Sequence, residues 1–222
     1  MSFFVFRLNK LKIIKNREIG PADVKVLSFL TVDNIALPDL DQLVKTDEAA
    51  ERKALTQIAV QSVLNAKVLM EVEHVKDDQV LTFGDTGYAL YTSQTIPQSF
   101  NWSLLVLASG RTLQFWEEQV NNVLNDPKFG NFAEDLVSVL KVAMNPAMTA
   151  GLTISKFILD KTTGMMKQNN AQQIGVLYQS FDRYEHYPQG ERSVSEEPDL
   201  TNNMFIDYSI FGVEDQAAAV KE

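Results

Sequence analysis

Residues 111–170 read as helix, yet strand patterns lie on both sides of them. A chain that returns to period-two alternation after so long a helical stretch is organised around its strands, with helices inserted between two of them. The preferred reading is one domain over 1–213, with helical inserts at about 46–66 and 111–168 and a loose tail over 214–222. The fold class is mostly β with α insertions: an antiparallel β-sandwich carrying a three-helix insert.

The strands announce themselves by period. Phe4, Phe6 and Leu8 alternate, then Leu11 and Ile13 alternate on the opposite parity, which predicts a bulge at Asn9-Lys10. Val24, Val26, Leu30 and Val32 mark a second strand whose other face, Leu27 and Phe29, is apolar too, so it should be covered on both sides. Residues 34–46 read as a loop, and Leu55, Ile58, Ala59, Ser62, Val63 and Ala66 follow helical spacing. Val68, Met70 and Val72 return to alternation, and Lys76 to Gln79 form a turn into Val80 to Phe83. Gly84 to Gly87 is either a bulge inside that strand or a second turn, with the bulge favoured. Trp102 to Ala108 is a buried strand.

Within the long insert, Leu113, Trp116 and Val120 share a stripe that stops at Asp126-Pro127. Asn131 and Glu134 suggest an N-cap pair, and Pro146 opens the third helix. Strand pattern resumes at Ile174 and runs to about Tyr187; after a loop over 187–203, Met204 to Ile210 close the sheet.

Charge and composition narrow the function. A net charge of −9 argues against a nucleic-acid partner, which needs clustered Lys and Arg; the one basic concentration, Arg7 to Arg17, reads as a solvated strand face. Absence of cysteine excludes disulfide and thiolate chemistry, and two histidines cannot furnish an ordinary zinc site. The N-terminus reads as a strand, not a signal peptide, and the longest apolar stretch, Ala147 to Leu159, is too short to span a bilayer. A cytoplasmic location is the default expectation, with no transmembrane segment.

The segment KLKIIKNREIGPADVKVLSF (10–29), a strand, an exposed loop, then a second strand reached through Pro21-Ala22-Asp23-Val24-Lys25-Val26, resembles the start of a C2-type β-sandwich. The closing NMFIDYSIFG (203–212) is similar to the last strand of such domains, while EHVKDDQVLTFGDTGYALY (73–91) and EHYPQGERS (185–193) resemble an uncharacterised bacterial family. The resemblance covers the strand-forming half of the chain and implies a C2-like sandwich. Calcium-binding members gather aspartates from two loops at one end. Asp23 matches one such position, but the first loop otherwise offers only Glu18, so the fold is carried over without the ion and no cofactor is expected.

If consecutive strands are antiparallel, loop 16–23, turn 76–79 and insert 109–172 share one end, and insert 34–66, loop 92–101 and loop 187–203 share the other. At the first end Glu18, Asp23, Asp77 and Asp78 are candidate oxygen ligands for a calcium-like cation, opposed by Arg17 and Lys76; a solvated turn is the simpler reading. At the other, Glu185, His186, Arg192 and Asp199 form the candidate binding cluster, with Ser193 and Ser195 nearby. His186 beside carboxylates has acid–base potential, but no strained nucleophile turn or oxyanion motif accompanies it. Trp102 and Trp116 read as core. The expected function is a non-enzymatic binding or interaction module for a protein or membrane-surface partner, of unknown oligomeric state. The alternatives are a hydrolase with its site around His186 and the 187–203 loop, and a structural subunit of a larger assembly.

Overall fold

A computed structural model describes residues 2–33 and 35–214, without the Lys167 side chain; the tail expectation beyond 214 lies outside the described residues. Two antiparallel sheets face each other. The first has the order β4(Gln79–Thr82)-β1(Phe3–Ile13)-β9(Met204–Val213)-β8(Gly190–Pro198), with β5(Tyr88–Ser93) also paired to β1. The second has the order β3(Lys67–Val75)-β2(Ala22–Val32)-β6(Ser99–Ala108)-β7(Gln172–Asp182). Helices α1(Leu40–Lys45) and α2(Ala49–Asn65) precede β3; α3(Leu113–Asn121), α4(Phe129–Leu140) and α5(Pro146–Met166) lie between β6 and β7; the single turn α6(Arg183–His186) follows β7. Strand and helix are nearly balanced at 38% and 36%, so the chain is mixed and not mostly β.

Alternation sorts the core into two layers. Phe4, Phe6 and Leu8 of β1 meet Val24 and Val26 of β2, Trp102 of β6 and Tyr208 of β9 between the sheets. Leu27 and Phe29 of β2 and Leu105 and Leu107 of β6 point the other way, into a second cluster with Val60, Trp116, Leu136, Ile154 and Ile158 of the helices. Thus β2 is covered on both faces, and among the described residues helices roof the outer face of the second sheet only. Contact there is close. Gly151 of α5 lies over Thr31 of β2, where an added Cβ would stand 2.7 Å from Thr31 Oγ1. Beyond it, Asn101 Nδ2 donates to the Met148 carbonyl and Ser103 reaches Ser155.

The bulge at Asn9-Lys10 is present as a register shift between Leu8 and Lys10 against β9. Residues 83–87 leave the edge of β1 and return to it without reversing the chain, since Lys10 pairs Thr82 and Leu8 pairs Tyr88. Several local expectations are corrected. Residues 190–198 are an edge strand inside the expected 187–203 loop, because the outward side of β9 supplies a free ladder. Strand β7 ends at Asp182, whose carboxylate caps α6 through the Tyr184 amide. The second helix of the insert begins at Phe129, ahead of Asn131, since Asp126 Oδ1 already accepts the Lys128 amide and its carbonyl the Phe129 amide. A short helix, α1, breaks the expected 34–46 loop, with Asp39 accepting the Gln42 amide as its cap.

Candidate functional site

Because 83–87 does not reverse the chain, loop 14–21, turn 76–78, insert 109–171 and the 199–203 connection all lie at one end, while His186 lies at the other. The candidate cluster around His186 is therefore split. Strand β8 carries the chain from one end to the other, so Asp199 is remote from Glu185 and His186. The carboxylate of Asp199, 3% exposed, is committed to its own connection: it accepts the amides of Val176, Thr201, Asn203 and Met204 and the Thr201 hydroxyl. His186 Nδ1 accepts the Asp182 amide at 3.0 Å, and its ring meets the edge of Phe181. Arg192 Nη1 donates to the carbonyls of Glu185 and His186 at 2.7 and 2.9 Å. Together these contacts hold α6 against the last residues of β7 and against β8.

The calcium-like set is not gathered either. Among the described residues no group of three or more His, Asp or Glu side chains could hold a metal ion. Asp77 accepts the Asn16 amide and the Lys15 ammonium, and these hold its carboxyl below the usual carboxylate range. Asp78 sits at φ 55° in the turn, where its amide donates to Ile14. Asp23 accepts the His74 amide, and Glu18 donates its own amide to Asn16 Oδ1. Asp23 and Glu18 do share a shallow recess with His74 and Ser109, so two of the four come together.

A larger concavity lies elsewhere, on the outer face of the first sheet, which no described helix covers. It measures about 600 Å³ and runs across β1, β9 and β8 under the rim formed by Gly84 to Gly87. Strand geometry builds it. Arg7 of β1 and Asp207 and Ser209 of β9 alternate with core residues and so point outward. The β1 bulge adds a step: Asn9 and Lys10, consecutive between the buried Leu8 and Leu11, both line the groove. Gly87, at φ 78°, brings the rim against Asn9; an added Cβ would stand 2.2 Å from Asn9 Oδ1. Opposite, β8 slips register between Val194 and Glu197, and the Glu196 amide donates to Asp207 Oδ1 at 2.9 Å. Lys10 reaches Asp207 Oδ2 at 3.5 Å, and Ser209 donates to Asn9 Oδ1.

Both charge signs line this groove: Arg7 and Lys10 face Asp85, Glu191 and Asp207, with Thr86, Ser193 and Ser195 as hydroxyls between them. Such a lining recognises a polar surface by hydrogen bonds and paired charges, with little apolar area to desolvate. In the sequence Arg7 reads as part of a solvated strand face, and Ser193 and Ser195 only as neighbours of the His186 cluster. The usable signal was the outward parity of Arg7, Asp207 and Ser209, legible once the strands are paired. No protein-family model matches the chain, and no curated protein is similar to it.

Proposed function

We propose that this protein is a non-enzymatic binding module built on a C2-like sandwich, and that the groove on its uncovered sheet face holds a polar surface of a protein partner. The observation that carries the reading is the asymmetry of the two outer faces. One is sealed by the helices; the other is open and bears a bulge-shaped, mixed-charge groove of about 600 Å³. Two sheets facing one another across a shared core support the C2-like reading of the fold. A protein partner is preferred to a membrane because the groove offers paired charges and hydroxyls, and a net charge of −9 opposes anionic lipid. Among the described residues no helix is long and apolar enough to cross a membrane.

Affinity capture with three chains tests this. The wild type and His186→Ala should retain the same partner, and Arg7→Glu should lose it. Tight binding to anionic vesicles, or hydrolysis of an ester or peptide substrate that depends on His186, would replace the proposal with one of its alternatives.

A further inference from the structure

Some of the charges that line the groove are already neutralised within it, and others are not. Lys10 lies 3.5 Å from Asp207, whose other oxygen accepts the Glu196 amide. Among the described residues Arg7, Glu191 and Asp85 make no ion pair. Asp85 belongs to the rim. Arg7, half-exposed on β1, and Glu191, exposed on β8, stand on the sheet itself.

Strand pairing fixes where these two stand. Ala89, Arg7, Ser209 and Ser193 form one row across four strands, and apart from Arg7 every member of that row is small. The next row along β9 holds Val5, Phe211 and Glu191. Tyr208 and Ile210 point into the core, so Phe211 points outward, half-buried against Phe3 with ring centroids 6.2 Å apart. A carboxylate beside an aromatic ring receives a Lys or Arg side chain, by ion pairing and by cation–π contact. The two rows are two residues apart along β9, about 6.6 Å, and an extended chain repeats its side chains on one face at that same interval.

We propose that the groove holds one extended segment of the protein partner, laid along β9, with an acidic side chain against Arg7 and, two residues away, a basic side chain against Glu191 and Phe211. The Ser193 hydroxyl, in the Arg7 row, donates to the same carboxylate. Width favours an extended segment over a helix. Strands β1 and β8 flank β9 at two strand spacings, about 10 Å, and the rim narrows that space, whereas a helix with its side chains needs about 10–12 Å. Thr86 on the rim and Ser195 on β8 bring hydroxyls to the two walls, where they meet the segment's backbone. The inference rests on the reading of the groove as a protein-binding surface and adds the sequence that it selects: acid, any residue, base, in either order.

A displayed library of random peptides, panned against the intact chain, tests this. The wild type should enrich acid–x–base sequences. Arg7→Glu should enrich base–x–base and Glu191→Arg acid–x–acid, each with a melting temperature near that of the wild type. A synthetic peptide of the sequence that the wild type selects should bind Arg7→Ala at least about tenfold more weakly, because a charge-assisted pair is lost. The same enriched sequence on all three chains overturns the inference, as do selected peptides that bind Ser193→Trp as well as the wild type. Enrichment of no peptide overturns it too; loss of the captured protein partner from the Arg7→Glu chain then shows that the groove reading survives, with a folded surface as the occupant.

Discussion

Asp199 Oδ1 accepts the Asn203 amide at 2.8 Å, and the Asn203 side chain then joins the two sheets, donating to the carbonyls of Lys15 after β1 and Ile174 in β7. A buried carboxylate with five donors organises the connection through which β8 leads into β9. Asp199→Ala leaves four amides without their acceptor and should cost about 2–4 kcal/mol in urea denaturation, with Asp199→Asn in between. A loss near zero would show that the connection holds without it.

His186 acts at the opposite end as a local clasp on the Asp182 amide. His186→Ala should cost about 1 kcal/mol, a fall of roughly 2–4 °C in melting temperature for a chain of this size. An unchanged melting temperature would remove the structural role assigned to this side chain.

These two residues show what the sequence displays and what it hides. Period-two runs such as Phe4-Phe6-Leu8 and the Trp102 strand locate themselves, because burial on one face imposes the pattern. So does the β1 bulge, because its extra residue inverts the parity of the core side chains. Strand β8 is different: as a polar edge it buries almost nothing, so GERSVSEEP has no apolar period to read and looks like a loop. That omission placed Asp199 beside His186, when a full strand separates them. The groove was hidden for a related reason. Its residues come from strands distant in sequence, and only pairing puts Arg7, Ser193 and Asp207 on one surface.

Gly151 and Thr31 set how closely α5 approaches β2. Gly151→Ala should destabilise by about 1–3 kcal/mol, because a branched Thr side chain cannot swing clear. Thr31→Ala in the same chain should recover only part of that loss, since it removes Oγ1 and Cγ2, together with a buried hydroxyl that has no hydrogen-bond partner among the described residues, but keeps the Thr31 Cβ 2.8 Å from the added one. Additive losses in the double variant, read by denaturant midpoint, would contradict the contact.

Asp126 ties the start of α4 to α5 through Lys161 at 2.7 Å. Burial pushes its carboxyl up, but the Lys161 ammonium and the Lys128 amide outweigh burial and hold it below its ordinary 3.8. A folded-state value below the unfolded one contributes stability that is fully present above the unfolded value and is lost as pH falls through the folded one. The stability difference between wild type and Asp126→Asn should therefore be flat above about pH 5 and shrink steadily below about pH 4. A difference that grows on acidification would reverse the sign assigned to this pair.

The account stands or falls on the open sheet face as the working surface. Ser193 is exposed on β8 within the groove, so Ser193→Trp fills the groove without entering either core layer. With the partner captured by the wild type in hand, its affinity for the Ser193→Trp chain is the deciding measurement. The account predicts a loss of at least about tenfold with the melting temperature unchanged, the equivalent of 1.4 kcal/mol in binding. Undiminished affinity in a folded Ser193→Trp chain would contradict it.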